Sequence, residues 1–483
     1  MKKNKSTIFY MGITGVFLLL MYWIVQIGKD LETVKSQVVK SSPPAQDFWQ
    51  SATGIFSNNA GNPLSVLLLQ IITIIIAART FGYLFNKIRQ PSVIGEIVAG
   101  IVLGPSLLGL LFPAYSSFLF PKTSLPVLQL FSQLGLLFFM FVIGMELDLK
   151  LVKQKARAAI IISHASIIIP YALGMGLAYF IYREYAPANI NFISFSLFIG
   201  IAMSITAFPV LARILQERGM TSTRIGSMAL ACAAADDITA WCILAAVISI
   251  VNAGSSFSAL ITICLTTGYV IAMLTIIKPL LERIAKKYAQ TDVLSLSVVA
   301  LMFGILLVSA YITEIIGIHA LFGAFLAGVI MPSSLSFRRV LMGKVEHVSL
   351  GLLLPLFFAF SGLRTEIGLL NTTHAWLICA AITGIAIVGK FGGSMLAAKF
   401  VGESWKDSLT IGALINTRGL MELIVLNIGF ELGVLNAELF TMMVIMALVT
   451  TFLTGPALDL INHFAPASIK QDYKRSRNIE TSD

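Results

Sequence analysis

The stretch Ala99-Gly100-Ile101-Val102-Leu103-Gly104-Pro105 is echoed far along the chain by Ala327-Gly328-Val329-Ile330-Met331-Pro332. The segment that follows each one repeats as well. Leu137-Phe138-Phe139-Met140-Phe141, with Gly144 and Glu146 beyond it, parallels Leu356-Phe357-Phe358-Ala359-Phe360, with Gly362 and Arg364 beyond it. One such likeness among Leu, Phe and Gly is ordinary in any apolar helix. Two in the same order point to an internal duplication. Its sense depends on how many membrane crossings separate the two halves.

Of the 483 residues, 57% are hydrophobic and 12% charged, against about 25% charged in an average soluble domain. An ordinary soluble globule is excluded. A membrane helix needs about 20 apolar residues. A first such segment runs from Ile8 to Ile27, followed by a polar stretch to about Pro63 that holds Pro43, Pro44, Asn58 and Asn59. Apolar runs then mark about thirteen core spans, at roughly 64–85, 93–112, 125–147, 157–182, 192–215, 225–251, 257–279, 294–312, 315–331, 347–363, 374–398, 408–431 and 436–462. The chain thus divides into an N-terminal helix and linker (1–63), a transmembrane domain (64–462) and a short polar tail (463–483).

The Lys/Arg distribution tests that count, because one missed span would swap the sides of every later loop. Alternate connections hold Lys2, Lys3 and Lys5; Lys87 and Arg89; Lys150, Lys153, Lys155 and Arg157; Arg213, Arg218 and Arg224; Lys278, Arg283, Lys286 and Lys287; Arg338, Arg339 and Lys344; Lys399 and Lys406; and Lys470, Lys474, Arg475 and Arg477. The opposite set holds Lys29, Lys35, Lys40, Lys122, Arg183 and Arg364. Both termini are therefore expected in the cytoplasm, in a multi-pass protein of the cell membrane, with a bacterial inner membrane as the setting. The net charge of +10 is a topology signal, and no nucleic-acid partner is expected. The first segment reads as an uncleaved helix in preference to a signal peptide, since it is long and lacks an A-x-A site before Lys29. Cys232, Cys242, Cys264 and Cys379 lie in apolar segments without metal-ligand spacing and read as small core residues. No cofactor is expected.

The repeated segments sit seven spans apart, an odd offset, so the halves cross the membrane in opposite senses, as in secondary transporters. The site is then sought where corresponding spans are interrupted. The fifth carries Ser204-Ile205-Thr206-Ala207-Phe208-Pro209 and its partner, the twelfth, carries Asn416-Thr417-Arg418-Gly419. Pro209 removes a backbone donor, and freed carbonyls at that depth must line a cavity.

Between them, Ala233-Ala234-Ala235-Asp236-Asp237-Ile238-Thr239-Ala240-Trp241 places two carboxylates in the middle of an apolar span. Each costs about 2.5 to 3.5 kcal/mol there. Lys390, in Val388-Gly389-Lys390-Phe391-Gly392, can neutralise one of them. The other then needs a cation, either a proton or a metal ion. Helix neighbours point about 100° apart, so Asp236 and Asp237 cannot face one partner. That speaks against an aspartyl protease dyad. Arg418 and Glu422, four apart on one helix face, read as a structural pair. Glu96 and Glu146 read as interfacial, His164 and His319 as satisfied histidines, Arg79 as snorkelling, and Thr239 as a packing hydroxyl. Thr206 differs by sitting at the break.

With these residues the chain resembles the monovalent cation/proton antiporter superfamily, in the branch of bacterial Na⁺(K⁺)/H⁺ antiporters and plant cation/proton exchangers. Gly95-Glu96-Ile97-Val98-Ala99-Gly100, Ser204 through Ala212, Asp236 through Trp241 and Asn416 through Leu423 match that branch in order and spacing. The resemblance implies an all-α inverted-repeat bundle with crossed interrupted helices, an elevator-like core and a homodimer in the bilayer. It implies Asp237 as the essential ion- and proton-binding acid, Asp236 at the preceding position and Lys390 as its partner. Thr206 joins the site, with Pro209, Asn416, Arg418 and Glu422 supporting it. The stretch after His463 is too short for the nucleotide-binding domain that potassium efflux relatives carry. The expected function is exchange of Na⁺ or K⁺ for protons. Two alternatives compete. A channel-like potassium efflux protein would want a carbonyl filter, which no TVGYG-like run supplies, and an intramembrane enzyme would need a facing dyad.

Overall fold

The computed structural model describes residues 2–32, 54, 59–88, 90–146, 156–220, 223–252, 256–288, 296–332, 343 and 348–464. Outside them lie residues 33–53 of the linker, Asn58, the basic residues Lys150, Lys153, Lys155, Arg338, Arg339 and Lys344, the tail after Phe464, and the Glu146 side chain. Two compact units divide at Asn62. The first contains helix α1 (Lys2–Glu32), which covers the expected apolar segment. The second is the helical bundle.

Within that bundle a helix, whole or split, lies at each of the thirteen expected positions. The first three are α2 (Pro63–Lys87), α3 (Ser92–Leu103), and α6 (Leu125–Glu146), with the short α4 (Leu108–Leu111) and α5 (Pro113–Leu119) before α6. The fourth is α7 (Ala156–Tyr185), and the fifth is split into α8 (Phe192–Ser204) and α9 (Phe208–Glu217). Next come α10 (Arg224–Asn252), α11 (Ser256–Ala272) continued by α12 (Lys278–Tyr288), α13 (Leu296–Ile316) and α14 (Ala320–Val329). The last four spans are α15 (Leu354–Leu363), α16 (Thr373–Ile387) continued by α17 (Gly393–Phe400), the split pair α18 (Trp405–Ile415) and α19 (Leu420–Glu431), and α20 (Ala437–Phe464). Among the described residues, ten helices are long and apolar enough to cross a membrane.

Three boundaries differ from the sequence reading for local reasons. α3 ends at Leu103 rather than near 112, because Pro105 excludes helical backbone at the residue before it and Gly104 is extended. α14 starts at Ala320, because Gly317 and His319 take φ values of 91° and 83° that no helix continues through. The break in the fifth span lies at residues 205–207, ahead of Pro209. Proline sits in the first turn of α9, where its missing N–H has no helical partner to lose.

The helices pack in two sets. One holds α2, α3, α6, α13, α14 and α15; the other holds α7 to α10 and α16 to α20, and α11 touches α10 of one and α13 of the other. Two crossings organise the first set, and they match residue for residue. Gly100 of α3 lies against the backbone of Ala359, and Gly362 of α15 against Ile97 and Gly100. Likewise Gly328 of α14 lies against the backbone of Phe141, and Gly144 of α6 against Phe325 and Gly328. Small residues of this kind let two helix backbones meet where side chains would hold them apart.

Two residue types fall elsewhere than expected. Glu96 is buried in α3 instead of lying at an interface, and Cys242 and Cys264 are exposed on the helix surface, whereas Cys232 and Cys379 are core residues. Arg79 stays exposed but gives its guanidinium to the Gly351 carbonyl at 2.7 Å. A Cβ at Gly100 would overlap the Ala359 carbonyl, while one at Gly304 of α13 meets nothing within 4 Å. Gly100→Ala should therefore destabilise by about 1 to 3 kcal/mol, as overpacking does, and Gly304→Ala should not. Thermal unfolding of the two detergent-solubilised variants checks this.

Candidate functional site

The two interrupted spans cross each other at their breaks. Ile205 is extended after α8, and Gly419, with φ at 149°, precedes α19. The Ala207 N–H donates to the Thr417 carbonyl at 3.1 Å, which joins one break to the other. Thr451 of α20 serves both backbone groups of Arg418: its hydroxyl accepts from the N–H at 3.2 Å and donates to the carbonyl at 2.8 Å. Backbone groups freed at this depth are thus paired within the protein, as hydrocarbon surroundings require.

The negative end of α8 is capped by two side-chain cations. Arg418 donates to the carbonyls of Ala202 and Met203 at 3.2 and 2.5 Å. Lys390 donates to the carbonyls of Ser204 and, at 3.2 Å, Ser166. Cations are stabilised at a helix C-terminus by the aligned peptide dipoles. The expectation that freed carbonyls face a cavity is therefore corrected for α8, whose last carbonyls are occupied by Arg418 and Lys390. Lys390 itself rides on a π-helical turn, Val388–Gly392, between α16 and α17. Such single-turn bulges recur at functional positions because they displace one residue from the regular helical face.

Asp236 is the satisfied member of the acidic pair. Ser163 donates to its Oδ1 at 2.5 Å, Ser166 and Thr206 donate to Oδ2 at 2.7 and 2.6 Å, and the Lys390 ammonium lies 3.8 Å from Oδ2. Both ion-pair partners are fully buried. Thr206 thus reaches Asp236 rather than Asp237. Asp237, on the neighbouring helical bearing, meets the first N–H of α9 at Phe208, and its Oδ1 is buried without a hydrogen-bond partner. Arg418 and Glu422 pair at 2.6 Å, both fully buried. Asn416 is buried with its Oδ1 unpartnered, and Pro209 lies in the first turn of α9.

Ser163 and Ser166 of α7 were not singled out from the sequence. They stand three apart on one face of an apolar helix, but a serine inside a helix can equally bond to the backbone carbonyl of its own preceding turn. Only the packing of α7 on α10 shows that they face an acid. His164 is exposed on the Ile160 carbonyl at 2.8 Å, and Thr239 bonds its own helix at Ala235 at 2.9 Å, as expected.

With Asp236 held by Lys390 and Glu422 by Arg418, the site carries a further buried carboxylate, Asp237, and crossed half-helices around it. The sequence matches the transmembrane family described as sodium/hydrogen exchanger over residues 72–461. The chain belongs to the sodium/hydrogen exchanger family. Members of this antiporter family exchange an alkali cation for protons. Among its relatives is the Na⁺/H⁺ antiporter NhaS4 of Synechocystis sp., 44% identical over 407 residues, which cover 84% of this chain and 99% of that protein. Cation/H⁺ antiporter 19 of Arabidopsis thaliana is 38% identical across 90% of this chain, and K⁺/H⁺ antiporter 1 of Saccharomyces cerevisiae is 33% identical across 90%. The chain spans about half the length of those two, 54% and 50% respectively. The fold is that of the sodium proton antiporter MjNhaP1 from Methanocaldococcus jannaschii, with a TM-score of 0.62 at 15% identity over 83% of this chain and 99% of that one.

The pairing of Asp236 with Lys390 has a measurable consequence. Removing one partner of a buried ion pair leaves an uncompensated charge, at a cost of about 3 to 5 kcal/mol. Lys390→Ala should therefore lower the unfolding temperature more than the double change Asp236→Asn/Lys390→Gln, which removes both charges and keeps polar groups near the α8 carbonyls. Equal losses would show that the two charges do not depend on one another.

Proposed function

We propose that this protein is a secondary active transporter that exchanges Na⁺ or K⁺ for protons, with Asp237 binding the two in turn. The carrying observation is the buried Asp237 Oδ1 without a hydrogen-bond partner, beside an Asp236 that already has three hydroxyls and a lysine. Burial disfavours a bare carboxylate charge. A proton relieves that charge, and so does an alkali cation, but only one at a time. Competition of this kind couples the two fluxes without a separate coupling device.

The remaining parts of the reading fit this exchange. Asp236 and Lys390 form a neutral pair next to the exchanging acid, Thr206 orients that pair, and Arg418 with Glu422 anchors the crossed half-helices. Asn416, with an unpartnered oxygen, supplies a further neutral ligand for a partly dehydrated cation. The matching glycine crossings, α3 on α15 and α6 on α14, support an inverted duplication in which each half contributes one interrupted span. We further propose a homodimer in the bilayer, cytoplasmic termini as the basic residues imply, and residues 64–462 as the transporting unit.

Asp237→Asn keeps the shape of the side chain but can neither titrate nor hold a cation's charge. This variant should insert and fold, and lose proton-coupled cation flux in proteoliposomes. Flux that persists would remove Asp237 from the role.

Direct competition also sets the pH dependence. Protons block the cation while the site is mostly protonated, so the apparent KM for the cation should rise about tenfold per unit of pH lowered in that range. Initial rates of Na⁺ and K⁺ exchange between pH 5.5 and 9 measure this. A KM that does not move with pH would rule out a shared site.

A further inference from the structure

Resting on the exchange reading above, we propose that Arg364 and Glu431 form a latch that closes the extracytoplasmic path to the site. The two residues belong to different helix sets: Arg364 follows α15, and Glu431 ends the half-helix α19. Their side chains meet at 3.1 Å and are only 15% and 25% exposed. The guanidinium also donates to Asn427 of α19 at 2.9 Å. It lies over two rings, Phe360 of its own set at 4.5 Å and Phe430 of α19 at 5.4 Å.

Glu431 is also held from α6, through the oxygen it shares with Arg364 and through the other one. Gln129 and Gln133, one turn apart on α6, donate to its two carboxylate oxygens at 2.9 and 3.0 Å. Asn427 in turn donates to the Ser361 hydroxyl of α15 at 2.8 Å. Thus α6 and α15 grip the last turns of α19 by charge-assisted bonds, which are about twice as strong as neutral ones. At the other end of the bundle, Gln90 reaches the Phe452 carbonyl of α20 at 3.4 Å. Among the described residues, the Arg364 and Glu431 pair joins the two sets at the end where basic residues are sparse.

A cavity of about 670 Å³ opens at that end, with Lys122, Pro105 and Phe120 in its wall. It reaches inward as far as Gln129, Phe360 and Arg364. Behind those three residues is a void of only about 20 Å³, lined by Glu431, Asn427 and Ile424. Gln129, Phe360 and Arg364 line both spaces, so the latch stands between them. Moving α19 away from α6 and α15 is what an outward-open state requires, and it must break the Arg364 and Glu431 contacts first. These are positioning residues: they govern which face is open, not the binding chemistry at Asp237.

The test is one-sided accessibility of a reporter thiol. Ile424→Cys is made in full-length protein with Cys242→Ala and Cys264→Ala, and a charged, membrane-impermeant methanethiosulfonate is added to the extracytoplasmic face of intact cells. Losing a hydrogen-bonded charge should raise the labelling rate on the order of tenfold in Glu431→Gln and in Arg364→Gln. Arg364→Lys should restore part of the protection. The double change Gln129→Ala/Gln133→Ala, which leaves both charges in place, should raise labelling less but in the same direction, and guards against misfolding of the charge variants. Unchanged labelling in all of these would overturn the latch. So would an equal rise from the cytoplasmic face, measured in inverted vesicles, because that signals general loosening. Repeating the labelling with Asp237→Asn separates the two proposals: exchange that survives this change refutes the site, whereas the labelling response reports on the latch alone.

Discussion

No polar group in the interior of this bundle can rely on water, and that constraint arranges the rest. A split helix exposes carbonyls at one end and N–H groups at the other, and charged side chains cost several kcal/mol each at such depth. These liabilities cancel against each other here. The carbonyl end of α8 receives the guanidinium of Arg418 and the ammonium of Lys390, and those cations receive Glu422 and Asp236. The N–H end at Phe208 faces Asp237. Glu422 keeps one unpartnered oxygen beside its arginine, and Asp237 keeps its bare Oδ1 without a salt bridge among the described residues, which is what the proposed alternation of proton and cation asks of an acid.

Placement of these groups depends on backbone devices more than on side-chain choice. The π-turn at Val388–Gly392 brings Lys390 to Asp236 and the Ser204 carbonyl. Gly419 supplies a φ of 149° from which α19 can start beside Val210, with which a Cβ there would be in close contact at 3.0 Å. In the other helix set the glycine crossings hold α3 against α15 and α6 against α14 at backbone distance. The polar contacts at Arg364 and Glu431 span the two sets.

The sequence carried the outline of this arrangement to an unusual depth. All thirteen core spans, the two interruptions and the pairing of Asp236 with Lys390 were readable, because apolar length, helix breakers and the cost of a buried charge are local or compositional facts. The failures share a cause. Glu96 was read as interfacial from its distance to a helix end, yet α3 is packed on both α2 and α15, which buries even its first turn. Cys242 and Cys264 were read as core because apolar surroundings in the sequence do not distinguish protein from lipid.

Residue pattern alone thus determined a polytopic helical transporter of this family and the two acids buried in its interior, since each follows from what a bilayer tolerates. Tertiary structure alone decided how the polar groups share partners. Thr206 could serve either acid by sequence, and packing gives it to Asp236. Ser163 and Ser166 had no visible role until α7 was laid on α10. The contact of Arg364 with Glu431 joins residues 67 positions apart on different helices. Hydrogen bonds act over about 3 Å, and only the folded chain brings donors and acceptors from distant spans within that range.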